Sequence, residues 1–122
     1  MSKSLYERLG GYDAIAAVAS NLLPRLQGDA RLGRFWQHRS ADGVNREKQL
    51  LIDYLCASAG GPMLYTGRDM LSSHKGMRID QGDWTNFIGH VEATLQSFAV
   101  PAPESADVLG FVQSLKGDIV EG

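Results

Sequence analysis

The sequence predicts an all-α fold. Three observations carry this: apolar residues recur at three- and four-residue spacing in several segments, no β-branched run alternates with period two, and glycine and proline clusters cut the chain into helix-length pieces. A length of 122 residues fits one domain, 1–122, and leaves no room for a second core. With 43% hydrophobic and 21% charged residues, the composition is that of a folding globular chain and not of a disordered one.

Each element follows from a local signal. A first short helix runs from Leu5 to Leu9 and stops at Gly10 and Gly11. A second spans about Asp13 to Leu26 and gathers Ile15, Val18, Ala19, Leu22 and Leu26 on one face. Pro24 is expected to bend or shorten its last turns, because proline removes a helical hydrogen bond and crowds the preceding turn. Gly28 and Asp29 open a short helical turn with Leu32, Phe35 and Trp36, and a helix from about Ala41 to Ala57 ends at Gly60-Gly61-Pro62.

After an irregular stretch from Met63 to Arg68, a brief helix is expected around Asp69 to Lys75, terminated by Gly76. Asp80, with Asp83 three residues on, is the expected N-cap of a long helix whose stripe is Trp84, Phe87, Ile88, Val91, Leu95 and Phe98. Pro101 and Pro103 break that pattern, and a final helix presents Val108, Val112, Leu115 and Ile119.

A formal net charge of −2 without blocks of like charge argues against nucleic acid as a partner. The apolar runs fall well short of the roughly 20 residues a membrane helix needs, and no basic flank precedes an apolar signal core, so a cytoplasmic protein without membrane contact is expected. The single Cys56 cannot form an internal disulfide and reads as a small buried hydrophobe.

His74 is the residue that invites chemistry. It lies one turn after Met70 and beside Leu71, on the face that turns inward. Taken alone it is either a core histidine satisfied by a backbone carbonyl or a ligand. His38 and His90 are distant in sequence and no CxxC or HExxH spacing exists, which argues against zinc; no GxSxG or phosphate-binding glycine pattern occurs either. One inward histidine facing an aromatic-rich interior is what haem requires, an axial ligand and a large apolar cavity.

Several segments together resemble a known family. Ser4-Leu5-Tyr6-Glu7-Arg8-Leu9-Gly10-Gly11, Phe35-Trp36, Gly60-Gly61-Pro62, Tyr65-Thr66-Gly67-Arg68-Asp69-Met70, His74-Lys75-Gly76-Met77 and Leu115-Lys116-Gly117-Asp118-Ile119-Val120 look like the group I truncated haemoglobins of bacteria, in order and across essentially the whole chain. The resemblance implies a two-over-two helical sandwich, a truncated globin fold, holding haem b (iron protoporphyrin IX) between the helix before Gly60 and the one after Asp80. By position, His74 matches the proximal iron ligand. Met70, Met77, Ile79, Trp84 and Phe87 match the proximal lining, and Leu22, Leu23, Phe35 and Trp36 the distal wall. Arg68, Lys75 and Tyr65 are candidate propionate partners, since charged and polar donors pair well with carboxylates.

The departures carry information. Where the family usually has a tyrosine that donates to bound dioxygen, this chain has Leu23, which cannot donate. Asn45 and Gln49, on the helix before Gly60, are then the expected polar groups on the distal side, next to Val44 and Ile52. Lys48 interrupts the apolar stripe of that helix, at the place where cyanobacterial relatives carry a histidine as sixth ligand; it either runs its methylenes along the haem edge with its ammonium in water or on a propionate, or binds the iron after losing its proton.

The implied function is reversible binding of O2, NO or CO, in oxygen or nitric oxide chemistry or in sensing. Two alternatives stand beside it: a haem-dependent redox enzyme turning over peroxide or nitrogen oxides with an unidentified reductase as partner, and a haem-free helical interaction module.

Overall fold

The computed structural model describes residues 3–37, 40–62, 65–67, 70 and 74–121. Among them the chain is all helical, with no strand. The elements are α1 (Leu5–Leu9), α2 (Tyr12–Gln27), a 3-10 turn (Leu32–Trp36), α3 (Ala41–Ser58), α4 (Gln81–Ser97), α5 (Ala102–Ser114) and α6 (Lys116–Ile119). Of the brief helix expected at Asp69 to Lys75, Met70 and His74 are helical; Arg68, Asp69 and 71–73 lie outside the described residues.

The helix ends show why the boundaries fall where they do. Ser4 and Ser40 cap α1 and α3 by accepting the N–H of Glu7 and Gly43, and Asp80 caps α4 in a reciprocal capping box with Asp83. Pro24 does not shorten α2, which runs on to Gln27. Pro103 does not lie in a break: it sits in the first turn of α5, where its missing N–H is one that no helix could satisfy internally. The final helix, expected as one piece, divides at Leu115 into α5 and α6.

Two helix pairs build the sandwich. α2 packs on α3 and also on α4, and α4 packs on α5, while α1 bridges α2 and α5. One apolar cluster (Ile15, Ala19, Ile52 and Cys56) seals α2 against α3, and Cys56 is fully buried there as a free thiol. The turn after α3 is tight. A Cβ on Gly61 would lie 2.6 Å from the Tyr6 ring and 2.9 Å from the Cys56 carbonyl, so only glycine lets the chain pass under Tyr6. The Tyr6 hydroxyl in turn accepts the N–H of Tyr12 at 3.0 Å, which locks the start of α2 to this turn.

Among the described residues no helix is long and apolar enough to cross a membrane.

Candidate functional site

Two further apolar clusters gather the residues expected at the site. The first holds Leu22, Leu23, Leu26, Leu32, Val91 and Leu95, with Phe35, Trp36, Leu51 and Phe87 packed against it. The second holds Ile79, Trp84, Val112 and Ile119, with Met70, Met77, Phe35 and Phe87 against it. The residues expected as a distal wall therefore gather in one cluster and those expected as a proximal lining in the other, and Phe35 and Phe87 belong to both.

Helical phase accounts for this. On α4, Trp84, Phe87, Val91 and Leu95 recur at three- and four-residue spacing, so one face reaches the second cluster at its start and the first cluster further along. Trp84, 3% exposed, is satisfied by donating its indole N–H to Gln113 at 3.2 Å.

His74 is half-buried, and its Nδ1 lies 2.8 Å from the Met70 carbonyl oxygen. A carbonyl can only accept, so the proton belongs on Nδ1 and the lone pair on Nε2. That is the tautomer a metal-binding imidazole needs, held by the backbone contact that typically orients such a ring. Both readings left open for this histidine, a ring satisfied by a carbonyl and a ligand, are thus compatible with one geometry.

α3 sorts the remaining residues by face. Asn45, Gln49, Ile52 and Cys56 are spaced by four, three and four, which puts them on one side of the helix, and Ile52 and Cys56 show that this side faces α2. Gln49 accordingly donates its side-chain amide to the Tyr12 hydroxyl at 2.9 Å and to the Asp53 carboxylate at 3.0 Å. The residues expected on the distal side thus differ in their surroundings: Asn45 is exposed, Gln49 straps α3 to α2, and Ile52 belongs to the α2–α3 seam. Val44, Lys48 and Leu51 form the neighbouring strip, and Leu51 reaches the Leu22–Leu23 cluster. Lys48 and Val44 are half-buried on that strip.

Of the residues expected near the propionates, Lys75 is exposed, Arg68 lies outside the described residues, and Tyr65 is half-buried, its ring 5.1 Å from that of Tyr54 in an edge arrangement. Tyr54 also stacks on Phe111 at 6.0 Å, and burial pushes its phenol up from the ordinary value. Tyr54 was not foreseen, because it lies outside the apolar stripe read from the spacing of α3.

The 3-10 turn is fastened to α4 by charge. Asp83, 1% exposed, accepts from Arg31 Nε at 2.7 Å and from Arg34 Nη2 at 2.7 Å; Arg31 also pairs with Asp80 at 2.7 Å. Arg34, then the Asp80 backbone N–H and Arg31, hold the Asp83 carboxyl well below the usual carboxylate range, against the opposing effect of burial. Asp29, at the head of the turn, accepts from His90 at 2.7 Å and from the N–H groups of Arg31 and Leu32, which keep its carboxyl low as well. Arg34 further lies 4.2 Å over the Phe35 ring, so the side chain shared by both clusters is held from outside.

Comparison with known proteins gives this geometry a lineage. The family of bacterial-like globins matches residues 4–121. The group 1 truncated hemoglobin of Mycolicibacterium paratuberculosis is 30% identical over 119 residues, covering 98% of this chain and 85% of that protein. That of Nostoc sp. is 26% identical over 96% of this chain and 97% of its own length. Among solved structures, the Fe(III) form of truncated hemoglobin from Tetrahymena pyriformis superposes with a TM-score of 0.89 at 23% identity, over 98% of this chain and all (100%) of that one. The 2/2 hemoglobin of Synechococcus sp., solved in the cyanomet state with covalently attached heme, gives 0.83 at 24% identity over 97% and 98%. With the family matched from end to end and the two-over-two arrangement in place, this chain belongs to the group I truncated haemoglobins.

Proposed function

We propose that this protein holds a b-type haem with His74 as the proximal ligand and reversibly binds O2, NO or CO. Family membership carries the coarser statement, a haem protein for diatomic gases. The observation that supports the finer one is the His74 Nδ1 contact to the Met70 carbonyl at 2.8 Å, beside a cluster formed by Ile79, Trp84, Met77 and Phe87. The residues fit the group: a fixed imidazole tautomer supplies a nitrogen lone pair, and the flanking aromatic and aliphatic walls supply the water-excluding surroundings that an apolar macrocycle takes. When bound, iron protoporphyrin IX supplies the coordination site for the gas.

The chain's own residues set the terms of that binding. Leu22, Leu23, Phe35 and Trp36 exclude water on the side away from His74, and the buried Leu23 offers no proton to a bound ligand. Gln49 is committed to Tyr12 and Asp53, so it offers none either. Lys48 is the cationic side chain on the α3 strip next to Leu51, and it either closes the pocket or coordinates once deprotonated. Lys75, Tyr65 and Arg68 are the proposed partners of the propionates.

Absorption spectra of wild type and His74→Ala in ferric, ferrous and carbon-monoxide-bound forms test the assignment. Loss of stable haem, or an altered ferrous carbon-monoxide spectrum, is the expected result. Unchanged haem content and spectra overturn it.

A further inference from the structure

We propose that Glu121 is a positioning residue for the proximal side, its carboxylate fixing the segment that leaves His74. This rests on the haem reading above for its consequence, but the anchoring itself is visible in the fold. After His74 the chain turns sharply: Met77 N–H donates back to the His74 carbonyl at 3.2 Å, and Gly76 and Arg78 both have left-handed backbones, with φ of 87° and 57°. Alternating left-handed residues of this kind turn consecutive N–H groups to the same side and make a concave anion site.

Glu121 fills that concavity. One of its carboxylate oxygens accepts the Arg78 N–H at 2.8 Å. The Arg78 N–H, with the backbone N–H groups of Gly76 and Met77 nearby, holds the Glu121 carboxyl below its ordinary value. The Glu121 backbone N–H simultaneously donates to the Ile79 carbonyl at 2.8 Å, so residue and segment grip each other at two points. Just before it, Ile119 and Val120 pack into the cluster that holds Ile79, Met77 and Trp84.

The left-handed conformation of Arg78 makes the role specific. A non-glycine residue at φ 57° is strained by contact between its Cβ and the backbone, and such strain persists only where surrounding bonds over-determine it. Glu121 supplies those bonds. His74 is thereby held from both directions, through Nδ1 to Met70 on one side and through the Met77 turn on the other. Releasing the second hold leaves the ring freer to tilt.

Two measurements on Glu121→Ala and Glu121→Gln decide the matter. Amide hydrogen exchange reads the anchor without any need for haem. The Arg78 amide should exchange roughly ten- to a hundredfold faster in Glu121→Ala, the effect of losing a charge-assisted hydrogen bond. Glu121→Gln, which keeps an acceptor oxygen and the shape, should fall between, and it keeps the comparison open if the alanine variant folds poorly. In the haem-loaded ferrous protein, resonance Raman should show a shifted or broadened iron–histidine stretching band in the same order.

Wild-type exchange in both variants overturns the anchor. Faster exchange with an unmoved band at full haem content overturns the positioning role. A wild-type protein without a Soret band after haem addition defeats the haem reading instead, and the exchange data then decide the anchor alone.

Discussion

Removing the Asp83 carboxylate should cost a substantial part of the stability of this protein. Asp83 is 1% exposed and receives Arg31 and Arg34 at 2.7 Å and the Asp80 N–H at 3.0 Å. Breaking a fully buried ion pair costs about 3–5 kcal/mol because the surviving charge is stranded away from water. Here the surviving partners are not stranded, since the Arg31 and Arg34 side chains are 47% and 42% exposed and can rehydrate. That moves the expected loss for Asp83→Ala to about 1.5–3 kcal/mol, made up of the weakened pairs and the broken capping box.

For a chain of this size the loss corresponds to a fall in Tm of roughly 5–12 °C. Thermal melts followed by far-ultraviolet circular dichroism at pH 7 measure it. The sign of the pH dependence is fixed by the lowered carboxyl: its contribution is fully present above the unfolded value of about 3.9 and disappears as pH falls toward the folded one. The gap between wild type and variant should therefore close in strong acid. Coincident melts at pH 7, or a gap that widens on acidification, refute the reasoning.

Other consequences are open to direct measurement. In Leu23→Tyr a hydroxyl enters the distal cluster, and oxygen dissociation measured by stopped flow should slow by up to about tenfold, the worth of one hydrogen bond; an unchanged rate shows that another donor governs the pocket. A pH titration of the ferric spectrum separates the two roles of Lys48: ligation gives a low-spin, six-coordinate form that grows toward high pH, because the amine must lose its proton first, and is absent in Lys48→Ala, whereas coincident titrations of wild type and Lys48→Ala show that Lys48 does not ligate. Gly61→Ala places a Cβ 2.6 Å from the Tyr6 ring and should destabilise the protein by about 1–3 kcal/mol through overpacking, seen as a lower denaturant midpoint; wild-type stability would mean that the Tyr6 ring moves aside at no cost.

Much of this protein is legible in the sequence, and the reason is local. Helix boundaries depend on residues within a turn of each end, so Gly10 marks the end of α1, Gly60 with Gly61 the end of α3, and Asp80 with Asp83 the start of α4 to within a residue or two. The aromatic stripe of α4 follows from spacing alone, and the motif around His74 identifies the family before any contact is known.

What only the tertiary structure decided is how each helix is rotated and what its polar groups meet. A shift of one or two residues along α3 turns a side chain by 100° or more, and only the fold shows that Gln49 reaches Tyr12, 37 residues earlier in the chain. Long-range polar partners leave no trace in local spacing: Arg31 and Arg34 find Asp83 about fifty residues away, and Glu121 finds Arg78 across 43. Such pairs form because the apolar faces bring two helices together and their buried polar groups must then be satisfied by whatever lies opposite. The sequence by itself determined the helices and the family; packing decided which distant polar groups each helix meets.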